Sequence, residues 1–181
     1  ETKSGVADLT RTDGSTATKS AEKAEVLNEF FSSVFTCEDK SSVPQAPETT
    51  YAEPLLDLII SAEQVVKLLR KQNPNKATGP DGIGPRVLKE MASVLSRPLT
   101  TLFQSSLDKG RVPTDWKMAS VCPIYKKGEK YLAENYRPVS LTCVTSKIME
   151  HILTSQIQKY AENNEVFHSN QHGFRANHGC E

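Results

Sequence analysis

Apolar residues recur along this chain at helical spacing in some stretches and at strand spacing in others, separated by short polar runs. The first stretch, to about Lys19, is polar and carries an Asp13-Gly14 turn signal flanked by Ser and Thr. It predicts a loop or weak hairpin with little core of its own. Ser20 is suited to cap a helix whose Leu27, Phe30, Phe31 and Val34 fall at i, i+3, i+4 and i+7, one buried face whose ordinary use is packing. From about Cys37 to Pro54 the chain is rich in Ser, Thr, Pro and Glu. Too little apolar surface is available there to offset the entropy of ordering, so it is expected to be a linker.

Ser61 and Gln64 form a capping-box pattern that opens a helix with Val65, Leu68 and Leu69 inward and Lys67, Arg70 and Lys71 outward. Asn73-Pro74-Asn75 ends it. The run Thr78-Gly79-Pro80-Asp81-Gly82-Ile83-Gly84-Pro85 is a dense turn. Pro85 suits the first position of the next helix, where its missing N–H costs nothing. That helix carries Leu88, Met91 and Leu95 on one side. Pro98 is expected to interrupt or kink it, and Leu99, Leu102, Phe103 and Leu107 continue an apolar face up to a Gly110 stop. From Trp116 to Tyr125, and again from Tyr136 to Leu141, the pattern becomes short and β-branched, with a charged loop between: a β-hairpin. Pro123 and Pro138 remove ladder donors, so an edge strand or a bulge is expected. A last helix has Ile148, Ile152, Leu153, Ile157 and Tyr160 inward and ends near Asn163-Asn164.

The pattern predicts an α+β fold with helices packed on a small antiparallel hairpin. The expected division is a polar extension over 1–54, a helical part over 55–115, and the hairpin with its following helix over 116–181. With 181 residues, 37% hydrophobic and 7% aromatic, the chain is long enough for one core. No stretch reaches the roughly 18–20 apolar residues of a membrane span, and the start lacks a basic and then apolar leader, so no membrane partner is expected. The cysteines, Cys37, Cys122, Cys143 and Cys180, lie far apart, as reduced intracellular thiols do, and no disulfide is expected. The chain starts without Met and stops at Gly179-Cys180-Glu181, and both ends are expected to be cuts through a longer protein.

The formal net charge of +0 argues against a generally basic nucleic-acid binder, yet the charge is unevenly spread. Between Lys117 and Lys147 the bases Lys117, Lys126, Lys127, Lys130, Arg137 and Lys147 face only Glu129 and Glu134. The tip Lys126-Lys127-Gly128-Glu129-Lys130, followed by Asn135-Tyr136-Arg137-Pro138, brings ammonium groups and a guanidinium onto one two-stranded scaffold. Such a set can neutralise a polyphosphate without a glycine-rich phosphate loop; a merely solvated charged hairpin is the alternative. Asp81, between Pro and Gly, reads as a side-chain turn former rather than a catalytic acid. His168, His172, His178 and Cys180 lie near the end, but without paired ligand spacing no zinc site is expected.

In order, Gly79-Pro80-Asp81-Gly82-Ile83, Val112-Pro113 through Trp116-Lys117, Pro123-Ile124-Tyr125-Lys126-Lys127-Gly128, Asn135-Tyr136-Arg137-Pro138-Val139-Ser140-Leu141, Ser146-Lys147 and Gln171-His172-Gly173-Phe174-Arg175 resemble the N-terminal motif series of LINE-type, non-LTR reverse transcriptases, jockey-like ones especially. Ala21-Glu22-Lys23-Ala24 with Phe30-Phe31 and Phe35-Thr36 resembles the segment such elements carry before the polymerase domain. The resemblance implies the fingers and palm entry of a right-hand polymerase. It implies that Lys126, with Lys127 as a possible substitute, and Arg137 contact the triphosphate of the incoming dNTP. A structural ion pair from Arg137 to Glu129 or Glu134 is the competing reading. It also implies nucleic-acid contacts for Lys117, Lys130, Arg175 and the turn Gly79, Asp81, Gly82, with Phe174 packing. The implied partners are an RNA template, a DNA primer, and the palm and thumb of the same polyprotein, in a cytoplasmic ribonucleoprotein and the nucleus.

In the full-length family the palm carboxylates hold Mg²⁺. The aspartate motifs that supply them are absent after Arg175, and no Asp-Asp dipeptide occurs, so this chain is expected to lack catalytic residues and to bind no cofactor itself. A host-retained nucleic-acid-binding module and an inert remnant stand as alternatives to a polymerase fragment. The isolated chain is expected to give no Mg²⁺-dependent primer extension, and a positive extension assay would overturn that expectation.

Overall fold

The computed structural model describes residues 5–38, 41, 55, 57–168 and 170–175, and the expected linker over Cys37–Pro54 falls mostly outside them. The described elements run β1 (Leu9–Thr10), β2 (Thr16–Ala17), α1 (Ser20–Ser33), α2 (Ala62–Arg70), α3 (Pro85–Glu90), α4 (Ala92–Lys109), a 3₁₀ turn (Thr114–Lys117), β3 (Ser120–Tyr125), a second 3₁₀ turn (Ala133–Asn135), β4 (Tyr136–Leu141) and α5 (Val144–Asn163). Helices and small antiparallel two-stranded sheets make an α+β arrangement. Contacts group the chain into two compact units: residues 1–45 with 119–141, and residues 46–118 with 142–181.

The first unit is built on two hairpins. Asp13 accepts the N–H of Ser15 at 2.8 Å and Gly14 takes φ 84°, so β1 and β2 turn tightly and pair Leu9 with Ala17. Leu9 and Ala17 are fully buried and pack with Val26 and Leu27 of α1 and Tyr136 of β4. The expectation that this stretch carries little core is therefore corrected. Its apolar residues are too few to show a period, and their partners come from α1 and from Tyr136 of β4, the latter more than a hundred positions away. Ser20 is corrected as well. The N-cap residue is Lys19, without a side-chain cap bond, and Ser20 is the first helical residue. Of the expected face of α1, Leu27 is buried, Phe30 and Phe31 are half-buried, and Val34 is exposed.

Strands β3 and β4 pair antiparallel with Pro123 opposite Pro138 and Ile124 opposite Arg137. The Lys126 N–H donates to the Asn135 carbonyl at 2.8 Å, which marks a hydrogen-bonded pair at the loop end. Alternation then leaves Pro123 and Pro138 in a non-hydrogen-bonded pair, where an N–H would point away from the partner strand. Neither proline costs a ladder bond, and no bulge is needed. Trp116, expected to begin this strand, lies instead in the 3₁₀ turn and packs edge-on against Phe103 with ring centroids 5.7 Å apart.

The second unit is helical. Ser61 accepts the Gln64 N–H at 3.3 Å while Gln64 accepts the Ser61 N–H at 3.1 Å, completing the expected capping box of α2. Val65 and Leu69 of α2, Leu88 of α3, Ala92 and Phe103 of α4, and Ile148 and Ile152 of α5 form its core. Pro85 opens α3 as expected. Of the interruption or kink expected at Pro98, the interruption does not occur there: the helix breaks earlier, at Met91, and Pro98 sits inside the continuous helix α4. Restarting the helix at Ala92 puts Pro98 in its second turn, where it withholds a single bond from the Val94 carbonyl on an exposed face. Met91, placed on the buried side by its spacing, is 44% exposed, and Ala92 takes the inward position. Gly110 closes α4 at φ 59°, with the Arg111 N–H returning to the Ser106 carbonyl at 3.0 Å. In α5, Ile148 and Ile152 are buried and Leu153 half-buried, while Ile157 is 50% exposed.

Leu9→Ala is expected to lower stability by about 2–5 kcal/mol, the range for truncating a fully buried leucine. Urea denaturation measures it, and an unchanged midpoint would mean the N-terminal stretch carries no core.

Candidate nucleotide and nucleic-acid interface

The hairpin register decides which of the basic residues act together. Val121, Pro123, Tyr136, Pro138 and Ser140 share one face, and Tyr136 on it is buried. Except for buried Tyr136, these residues line, with α1, an apolar groove of about 870 Å³ that includes Leu27, Phe31 and Phe35. The other face carries Ile124, Arg137 and Val139, all exposed. Because Lys126 still bonds to Asn135, the alternation runs one residue further and sets Lys126 on the face of Arg137. Lys127 lies in the bend beyond the ladder. The two adjacent lysines, equivalent in sequence, thus differ in structure.

Among the described residues the ion pairs are Arg11–Glu22, Lys23–Asp8 and Arg175–Glu162, so none uses Lys126, Lys127 or Arg137. The expected competitor for Arg137, a bond to Glu129 or Glu134, does not form. Lys130 is partly engaged, its ammonium 5.5 Å from the centroid of the Tyr125 ring. Lys126, Lys127 and Arg137 are therefore exposed and form no ion pair, although Glu129 and Glu134 lie in the same loop, and such cations can attract a phosphate chain.

The remaining candidates belong to the helical unit. Asp81 accepts the Ile83 N–H at 3.1 Å and Gly82 donates to the Gly79 carbonyl at 3.1 Å, so the aspartate is a turn former, as its setting implied. Gly79 is buried. A Cβ there would lie 2.6 Å from the Cys143 Cα and N and from the Thr142 carbonyl carbon. The turn is thus wedged against the start of α5, and a nucleic-acid strand cannot reach Gly79. Gly82, with φ 68° and open space around it, remains exposed. Burial raises the pKa of the Cys143 thiol in this junction, and its Sγ lies 3.5 Å from the Asp115 carbonyl oxygen. Lys117 ends the 3₁₀ turn and is exposed.

Arg175 is committed internally. Its Nη2 and Nε donate to Glu162 at 2.7 and 3.0 Å, and its guanidinium stacks 5.1 Å from the Phe167 centroid. The Glu162 bonds hold its pKa above the ordinary arginine value. Phe174, expected to pack, is 98% exposed at φ 63°, because the turn that brings Arg175 back to α5 swings its neighbour outward. Of the histidine cluster, His178 and Cys180 lie outside the described residues, and among those described no group of His, Cys, Asp and Glu could hold a metal. Cys37, Cys122 and Cys143 are free thiols, and no described helix is long and apolar enough to cross a membrane.

The spacing of the sequence did not disclose how the loop is held. Tyr125, Asn135, Tyr136 and Thr10 all bond to its carbonyls, and Thr10 is remote in sequence. Asn135 lay inside a motif already noted, but nothing in its spacing marked this use.

Against known proteins, no family model matches the chain. It is 31% identical over 121 residues to the RNA-directed DNA polymerase from mobile element jockey of Drosophila melanogaster, 66% of this chain and 13% of that protein. The Drosophila funebris jockey polymerase is 29% identical over 167 residues, 88% of this chain and 18% of that protein. The probable RNA-directed DNA polymerase from transposon X-element of Drosophila melanogaster is 29% identical over 116 residues, 64% of this chain and 13% of that protein. The chain thus spans less than a fifth of the length of these relatives. The likeness to non-LTR retrotransposon reverse transcriptases carried by the ordered motifs is shown by these matches.

Gly79→Ala is expected to destabilise the protein by about 3 kcal/mol, the upper end of overpacking costs, because the atoms it meets are backbone. Gly82→Ala is expected to cost roughly 1–2 kcal/mol for its left-handed φ alone. Chemical denaturation ranks the two, and a harmless Gly79→Ala would contradict the wedge.

Proposed function

We propose that this chain, whose relatives are RNA-directed DNA polymerases of jockey-like non-LTR retrotransposons, supplies the fingers side of such a polymerase and grips the triphosphate of the incoming dNTP through Lys126 and Arg137. The observation that carries this reading is the shared hairpin face, on which both side chains stand exposed and without an ion pair. An ammonium offers a compact charge and a guanidinium a planar fork, and together they neutralise charge spread along a phosphate chain. Lys127 and Lys130 add to the local field from the same tip. Lys117, Gly82 and Asp81 border a possible nucleic-acid path on the helical unit. Arg175 is assigned no such contact while Glu162 holds it, and Gly79 is a packing residue.

RNA template, DNA primer, and the palm and thumb of a longer polyprotein are the partners that this reading entails, in a cytoplasmic ribonucleoprotein and the nucleus. Mg²⁺ belongs to the same whole-polymerase chemistry. No described cluster of this chain suits it, so no step of the proposal passes through a metal.

Calorimetric titration of the 181-residue chain with a dNTP tests the grip. Lys126→Ala and Arg137→Ala are each expected to weaken binding about tenfold, equivalent to about 1.4 kcal/mol. Lys127→Ala is expected to weaken it less than about threefold. Loss on Lys127→Ala equal to that on Lys126→Ala would sink the facing argument. Salt-sensitive RNA binding without any dNTP affinity would favour a nucleic-acid-binding module instead.

A further inference from the structure

From Gly128 to Tyr131 every backbone carbonyl of the charged loop accepts a hydrogen bond from within the protein. Gly128 accepts from the Tyr125 hydroxyl, Glu129 from Asn135 Nδ2 at 2.9 Å, Lys130 from the Tyr136 hydroxyl at 2.7 Å, and Tyr131 from the Thr10 N–H at 2.9 Å. An exposed charged tip ordinarily leaves such groups to water. With these oxygens bonded inward, an approaching anion meets ammonium groups rather than carbonyl dipoles.

Asn135 reaches both ends of this loop. Its carbonyl accepts the Lys126 N–H at 2.8 Å, its N–H donates to the Leu132 carbonyl at 3.2 Å, and its side chain holds Glu129. That side chain also fills the space beside Gly128, where a Cβ would lie 2.7 Å from Nδ2 and 2.9 Å from Oδ1. Gly128 takes φ 87°, so a side chain there would be strained by its own backbone as well as blocked by Asn135.

We infer that Asn135 is the positioning residue of an anion grip and that Gly128 is its steric counterpart. The inference rests on the reading that Lys126 and Arg137 hold a triphosphate, and it names what holds the lysine loop in a conformation ready to receive one. A loop fixed beforehand avoids the ordering cost that a mobile one would meet on binding. Asn135 itself carries no charge and contacts the ligand only through the loop it holds.

The test is calorimetric binding of inorganic tripolyphosphate to the full 181-residue chain at several salt concentrations, with amide exchange at Lys126 and Leu132 read in parallel. Asn135→Ala is expected to weaken binding about tenfold and to speed both exchanges, with the salt dependence unchanged because no charge is removed. Lys126→Ala and Arg137→Ala should weaken binding and flatten the salt dependence. Gly128→Ala should resemble Asn135→Ala, and the double variant should bind no more weakly than either single one, since both act through one loop. Wild-type affinity in Asn135→Ala, or losses that add in the double variant, would overturn the inference. Should Lys126→Ala and Arg137→Ala bind as wild type, the triphosphate reading fails separately, while the exchange rates still judge whether Asn135 holds the loop.

Discussion

The pairing of Pro123 with Pro138 constrains the rest of the hairpin. A proline opposite a proline is tolerated in an antiparallel ladder when the pair is of the non-hydrogen-bonded kind, because neither missing N–H would have faced the other strand. A slip of one residue would move these prolines into donor positions and turn every side chain to the opposite face. Tyr136 would leave the core it shares with Leu9 and Leu27, and Arg137 would be driven inward. The register thus joins two requirements of different kinds: an inward face that anchors the unit and an outward face that keeps its cations in water.

That anchoring explains how a short polar stretch acquires a core. A two-residue ribbon such as β1–β2 is not stable alone. It is held because Leu9 and Ala17 meet α1 and the inward face of β4, and because the Thr10 N–H bonds the charged loop. The ion pairs Lys23–Asp8 and Arg11–Glu22 decorate the same junction, but each leaves at least one partner substantially exposed, so they count for little beside the buried apolar contacts.

Features governed by neighbours along the chain were legible: the capping box at Ser61, Pro85 at the start of α3, Gly110 at the end of α4, the Asp81 turn and the two strands. Each depends on bonds or sterics within a few residues. Features decided by distant parts of the chain were not. The burial of Leu9, the outward turn of Phe174 and the wedge of Gly79 against Cys143 arise from contacts that no local period encodes. The break at Met91 shows a third case. Pro98 forbids one bond wherever a helix includes it, but the fold could choose where the helix restarted, and α4 absorbed the proline early. The candidate site divides in the same way. Charge and motif nominated Lys126, Lys127 and Arg137, whereas the face shared by the first and last needed the register, and the loop's anchors needed coordinates.

Charge alone is a poor guide to which arginine can meet a phosphate. Arg137 and Arg175 both lie in motifs whose resemblance implies phosphate contacts, the first with a triphosphate and the second with a nucleic-acid backbone, and a guanidinium keeps its charge in either setting. Glu162 already occupies the fork of Arg175 with two hydrogen bonds, and Phe167 covers its face. A phosphate would have to displace a partner whose geometry is already bidentate. Arg137 stands opposite Ile124 with no acid in bonding range, so a phosphate there would displace only water. The zero net charge of the chain is therefore compatible with an anion site. What matters is the local arrangement: Lys126 and Arg137 share one exposed hairpin face without an ion pair, beside a loop whose carbonyls from Gly128 to Tyr131 are bonded within the protein.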